Sequence, residues 1–361
     1  MSNENRTSWE NYRDTEIARV TPILTDLGYV LDEAQPHTKG ERYLMQAVTT
    51  ESGKKLILLG RDTETDGRVV IKVTSSPDGI RELEHERTCR RVLAEIGFSY
   101  QSFLSPKELL FVRTGPYCIS VQAFIEQEKP FLDRSIEEQF ELALRSFKAQ
   151  ESAHAATYEH ARLVRKTFGS MEATGYLRGF ERFMACPHGA GELLQKAHDE
   201  LYNGRHTIEQ YGGFLTHTDF VPHNFRVLGN AIYLLDHSSL RFGNKYEGWA
   251  RFLNFMTLHN RPLEAALLEY VHANRTPEES ASLRLMRVYR LGEIICYYTR
   301  TLPKSEGSLL ALNEARIAFW TEVLAATLEG RTVGDDIVEN YRTVRDSLRS
   351  DEEKQRQIGL H

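Results

Sequence analysis

The chain has 361 residues, 41% of them hydrophobic and 27% charged. That length exceeds what one small core needs and suits two fused lobes, while the composition excludes long disorder and collagen-like repeats. Lys plus Arg at 45 against Asp plus Glu at 51 leaves a formal charge of −6 with no basic tail or patch, which disfavours a nucleic-acid partner. Cys89, Cys118, Cys186 and Cys296 stand apart with no CxxC pair, the usage of a reducing compartment rather than of a zinc or redox site. The N-terminus lacks the apolar core of a signal peptide and no apolar run approaches a membrane span, so a cytoplasmic location with no membrane partner is expected.

Residues 8–28 place Ile17, Val20, Ile23, Leu24 and Leu27 at helical spacing and predict an opening amphipathic helix. Strand-like text follows over residues 43–49, 55–60 and 68–73, separated by the turn residues Glu51-Ser52-Gly53-Lys54 and Thr65-Asp66-Gly67, which predicts a three-stranded antiparallel meander. Ser76-Pro77 caps a helix expected to run to about residue 96, where Gly97 stops it. Two further strands, 108–113 and 117–124, flank the turn Thr114-Gly115-Pro116. Beyond residue 130 the text turns helical. Ser135-Ile136-Glu137-Glu138 is a capping-box pattern, and Ile136, Phe140, Leu144 and Phe147 form one stripe. Helical text then runs to about residue 348, broken mainly by a single hairpin-like patch over residues 214–236. The expected class is α+β: a small antiparallel β-lobe over residues 1–124 and a large helical lobe over 125–361.

The patch at 214–236 is the most informative stretch. His217-Thr218-Asp219 leaves an apolar strand, Asn224 follows five residues after Asp219, and Asp236 ends the next apolar strand. These residue types suit phosphoryl transfer: one carboxylate can accept a hydroxyl proton, while an amide oxygen and a second carboxylate are hard ligands for magnesium. Far upstream, Val69-Val70-Ile71-Lys72-Val73 sets one lysine in an apolar strand, where an inward-facing ammonium needs an anionic partner. The following helix offers Glu82, Glu84 and Glu86. At about 100° per residue, Glu86 falls on the apolar face with Leu83, Cys89 and Leu93, and Glu84 points away, so Glu86 is the expected partner.

Together these residues resemble the protein-kinase-like fold, and within it the aminoglycoside phosphotransferase and choline kinase family. The resemblance spans most of the chain, from about Tyr43 to Leu258. It implies that Lys72, held by Glu86, contacts the α- and β-phosphates of ATP, with GTP left open. It makes Asp219 the catalytic base, Asn224 and Asp236 the Mg2+ ligands, and His217 a brace for the catalytic loop. The connector Gln122-Ala123-Phe124-Ile125-Glu126 would meet adenine through backbone groups, and Ser52 and Gly53 would belong to the phosphate-covering loop. The implied acceptor is a hydroxyl of a small molecule, an aminoglycoside or a similar amino-sugar or amino-alcohol. Thr218 and His223 stand where the family often has glycine or tryptophan, and His237-Ser238 follows Asp236 in place of Phe-Gly. No Ala-Pro-Glu element or long activation segment follows, which disfavours a protein Ser/Thr kinase. A nucleotide-binding pseudokinase scaffold is the other alternative, and retention of Lys72, Asp219, Asn224 and Asp236 together argues against it.

His154 and His160, six residues apart, do not share a helical face and are read as structural. Tyr297-Tyr298, Phe319-Trp320 and the aromatics at 252–255 read as helical core. Glu247, Glu264 and Glu269 could hold a cationic substrate but read better as a solvated helix face.

Overall fold

A computed structural model describes residues 8–33, 35, 55–96, 104–152, 166–186 and 191–349. The strand expected over 43–49, Ser52, Gly53, His154 and His160 lie outside the described residues. Helix α1 (Ser8–Asp26) precedes strands β1 (Tyr29–Leu31), β2 (Leu56–Asp62) and β3 (Arg68–Thr74), helix α2 (Pro77–Ile96), and strands β4 (Glu108–Thr114) and β5 (Tyr117–Ala123). The five strands form one antiparallel sheet in the order β1-β2-β3-β5-β4. The short β1 escaped sequence reading because three residues show no alternation.

The alternation of β3 decides what the sheet presents. Val69, Ile71 and Val73 point to one face, where they join Leu56, Leu58, Ile119 and Val121 in a core closed by Val20 and Leu24 of α1. Val70 and Lys72 therefore point to the other face, and register places Gln122 opposite Val70 and Ser120 opposite Lys72.

The second compact unit is built mainly of helices: α3 (Ile136–Ser152), α4 (Ala173–Met184), α5 (Gly191–Asn203), α6 (Arg205–Gln210), α7 (Glu247–His259), α8 (Arg261–Asn274), α9 (Pro277–Thr301), α10 (Gly307–Leu328) and α11 (Asp335–Ser347). None of the described helices is long and apolar enough to cross a membrane. Four short strands interrupt them: β6 (Phe214–His217), β7 (Phe225–Leu228), β8 (Ala231–Leu234) and β9 (Leu240–Gly243). They make two antiparallel pairs, β7 with β8 and β6 with β9, rather than the single hairpin expected from sequence. The partner of β6 is Leu240-Arg241-Phe242-Gly243, four residues too polar and too short to read as a strand in isolation. Aromatic packing anchors the segment between β6 and β7. Phe220 and Phe225 stack at 5.3 Å, and Phe147 stacks on Trp249 at 3.8 Å beside them.

The α7 helix is buried on every side, so its charges must be neutralised inside the protein. Glu247 accepts hydrogen bonds from the Tyr176 hydroxyl at 2.7 Å and from Arg241 Nε at 3.1 Å, and Arg290 lies 3.5 Å away. Burial alone would raise its carboxyl, but Arg241 and Arg290 hold it below the ordinary value. Glu264 is likewise buried against Arg287 at 2.6 Å, whereas Glu269 is exposed. Glu247 and Glu264 therefore form neither a solvated face nor a cation site; their charge is satisfied internally.

Replacing Glu247 with alanine leaves two guanidiniums in the core, and the expected loss is ~3–5 kcal/mol by denaturant unfolding. A second prediction concerns acid. Glu279 closes the capping box of α9 with Thr276 and accepts bonds from Lys245 at 2.7 Å and the Tyr246 hydroxyl at 2.6 Å. Burial opposes the charge, yet these partners pull the carboxyl from 4.5 to about 2. Its stabilisation is thus present above about pH 4.5 and lost as pH falls through about 2. The difference in melting temperature between the parent and Glu279→Gln should be constant near neutrality and shrink across that window.

Candidate active site

In the sheet unit, Lys72 Nζ lies 2.5 Å from Glu86 Oε1, with the two side chains 12% and 3% exposed. The other two candidate glutamates are engaged elsewhere, Glu82 with Lys55 and Glu84 with Arg113 at 2.6 Å. Glu86 Oε2, Ser120 Oγ and Gln122 Nε2 are buried with no hydrogen-bond partner among the described residues. Ser120 and Gln122 lie on the Lys72 face, so that face carries polar groups whose partners the sheet does not supply. The connector is less open than its sequence suggests. Ala123 N donates to Lys107 O at 2.9 Å and Phe124 N to Arg68 O at 3.0 Å, and the Arg68 guanidinium sits 4.2 Å above the Phe124 ring. Both of these N–H groups are therefore engaged within the sheet unit.

In the helical unit, β6 delivers His217 fully buried, and its Nε2 lies 3.1 Å from Leu235 O and 3.0 Å from Asp236 O. Two carbonyls can only accept, so Nε2 carries the proton. The next turn begins at Thr218, whose N–H and hydroxyl both donate to Ser239 O, at 2.9 and 3.0 Å. Phe220 and Val221 turn into the core, while the Asp219 side chain stays 43% exposed. A single 3-10 turn, Pro222–Asn224, brings the chain back. Asn224 Nδ2 then donates to Asp219 O at 2.8 Å and to Asp219 Oδ2 at 2.9 Å. Because both bonds need a donor, the amide orientation follows, and the Oδ1 of Asn224 accepts no bond among the described residues.

Asp236 lies one residue beyond Leu235, whose N–H donates to Asn224 O at 2.8 Å. Its φ of 51° and ψ of 58° are left-handed, a conformation that costs a non-glycine residue roughly 1–3 kcal/mol. The hydroxyls of Ser238 and Ser239 donate to its two carboxylate oxygens, each at 2.6 Å. His217, Asp219, Asn224 and Asp236 are thus joined through one hydrogen-bonded frame.

Among the described residues no three His, Cys, Asp or Glu side chains converge as a metal cage. Magnesium needs none: it takes one or two protein oxygens and completes its shell with phosphate and water. The unengaged carbonyl oxygen of Asn224 and the carboxylate of Asp236 are a donor set of that chemistry.

Three participants were missed from sequence. Ser238 and Ser239 orient Asp236, and Arg251 of α7 donates to Asp219 Oδ1 from Nε at 2.8 Å. An arginine inside the otherwise apolar run Trp249-Ala250-Arg251-Phe252-Leu253 was a visible signal, since such a charge requires a partner. For the two serines, adjacency to Asp236 was the only sign.

No protein-family model matches the chain, and no curated protein matches it in sequence. Solved structures do share its architecture. Aminoglycoside phosphotransferase APH(4)-Ia matches with a TM-score of 0.59 at 13% identity, over 88% of this chain and 98% of that one. ADP-bound aminoglycoside phosphotransferase APH(2'')-Ib gives 0.54 at 14% identity, over 87% and 99%. A choline/ethanolamine kinase family protein from Mesorhizobium loti gives 0.54 at 13% identity, over 92% and 99%. Likeness at this identity speaks for architecture: the chain has the two-lobed α+β, protein-kinase-like fold of the aminoglycoside phosphotransferases and the choline/ethanolamine kinase family.

Proposed function

We propose that this protein is an ATP- and magnesium-dependent phosphotransferase that moves the γ-phosphate to a hydroxyl of a small molecule. The observation that carries the reading is the frame holding Asp219, Asn224 and Asp236. It presents a half-exposed carboxylate, an unengaged amide oxygen and a second, oriented carboxylate within one pair of loops. The Lys72–Glu86 pair supports it independently, as a desolvated cation on a sheet face that carries unpartnered polar groups.

In this reading Lys72 binds the α- and β-phosphates, and Glu86 holds the ammonium in place so that binding orders little further. Asn224 and Asp236 hold magnesium, which when bound offsets negative charge on the transferring phosphates. Asp219 accepts a hydrogen bond from the acceptor hydroxyl and aims it. The hydroxyl oxygen bonds to the γ-phosphorus as the bond from that phosphorus to the β-bridging oxygen breaks. ADP leaves, and the hydroxyl proton passes to Asp219. His217, buried under the loop, positions the backbone of Asp236 and does not exchange protons with substrate.

We propose an amino-sugar or amino-alcohol as the acceptor. The APH(4)-Ia fold occurs in a ternary complex with ADP and hygromycin B, and that of APH(2'')-IIa in one with streptomycin and ATP. Glu247 and Glu264 are paired with arginines and do not supply the charge that would recognise an amino group, so that role falls to other residues.

Magnesium-dependent ADP release should rise with at least one member of a panel of aminoglycosides, choline, homoserine and amino sugars. Asp219→Asn should lower that turnover by roughly 10²–10⁴-fold, the range expected for loss of a positioned proton acceptor. Nucleotide-dependent thermal stabilisation without turnover on any acceptor would identify a nucleotide-binding scaffold instead. Lys72→Ala should lower turnover with ATP by roughly 10²-fold, with thermal unfolding of the variant as the control for fold. A Lys72→Ala protein that matches the parent would remove the sheet unit from the mechanism.

A further inference from the structure

We propose that Arg251 is a positioning residue that fixes the Asp219 carboxylate in the orientation transfer requires, an inference that rests on the phosphotransferase reading above. The argument starts from burial. Arg251 sits on α7 among Trp249, Ala250, Phe252 and Leu253, each at most 1% exposed, and its own side chain is 7% exposed. A guanidinium is strongly disfavoured in such a helix unless a carboxylate meets it. The nearby acid Glu247 is neutralised by Arg241 and Arg290. Arg251 instead aims outward at Asp219, with Nε and Nη2 each 2.8 Å from Oδ1.

Asp219 gains a restraint that its own loop does not provide. Its side chain is 43% exposed, and within its own loop the Asn224 amide meets Oδ2 at 2.9 Å. The planar fork on Oδ1 comes from a different element, a rigid buried helix, and the two restraints together leave one orientation of the carboxylate plane. A lysine at 251 would keep the charge but not the fork. The Arg251 contact is therefore a second support, built into the helical core, for the group that meets the acceptor hydroxyl.

The test is a double-mutant cycle on turnover with the acceptor found active. Arg251→Met keeps bulk in the core and removes the fork; Arg251→Lys restores charge alone. Arg251→Met should lower kcat by roughly 10- to 100-fold with KM for ATP changed less than about threefold, as expected for misplacement of one reacting group. Arg251→Lys should recover part of that loss. In the Asp219→Asn background, Arg251→Met should cost less than about threefold, because the group it positions no longer acts. Equal losses in both backgrounds, or a kcat unchanged by Arg251→Met, would overturn the proposal while leaving the phosphotransferase reading intact. A parent in which acceptor turnover is absent or indifferent to Asp219→Asn would instead remove that reading and this inference with it. Thermal unfolding of each variant separates loss of fold from loss of positioning, and Arg251→Lys serves where Arg251→Met does not fold.

Discussion

The buried imidazole of His217 is the contact on which the helical unit's site depends. One nitrogen reaches the carbonyls of both Leu235 and Asp236, so the end of β6 is tied to the end of β8 although the two strands belong to different sheets. Thr218 extends the tie to Ser239, and Leu235 extends it to Asn224. Asp236, next after Leu235, is left-handed, and the Ser238 and Ser239 hydroxyls hold the carboxylate it presents. A histidine serves here because it is rigid, fits the core beside Phe220, and donates one proton between two acceptors. An aliphatic residue of similar size would leave the Leu235 carbonyl without the imidazole donor and Asp236 O with only the Ser239 N–H.

Around this knot the protein organises charge by burial. Glu247 answers Arg241 and Arg290, Glu264 answers Arg287, and Asp219 answers Arg251. Arg290 also donates to the carbonyl of Thr218, so the helix that neutralises Glu247 also holds the turn leading into Asp219. Buried ion pairs contribute little net stability against hydrophobic replacements, but removing one partner leaves an uncompensated charge that is strongly destabilising. The aromatic pegs Phe220 and Phe225 set the loop's depth, and the charge pairs set its orientation.

Several parts of this arrangement were legible in the sequence. The helical phase of Glu86 relative to Leu83 and Cys89 identified the glutamate that the structure places on Lys72, because 3.6-residue periodicity leaves little freedom over one turn. The strands at 56–62, 68–74, 108–114 and 117–123 followed from alternation and turn residues, with ends off by one or two positions. By contrast, β1 and β9 carry too few residues for any period to show, and they exist because a neighbouring strand has an edge to pair. Glu247 and Glu264 looked like surface charge, as Glu269 is, since a sequence does not reveal that an arginine from a distant helix stands beside each of the first two.

Elements whose cause is local could be read along the chain: helices from their apolar spacing, strands from their turns, and the residue types suited to phosphoryl transfer. Which of those residues meet is a matter of packing. The tertiary structure paired β6 with β9, turned the Asn224 amide nitrogen onto Asp219 so that its oxygen is left over, and brought Arg251 across 32 positions of chain to the Asp219 carboxylate. The physical reason is that local periodicity fixes the direction of a side chain, while its partner is fixed by packing between elements that lie far apart in sequence.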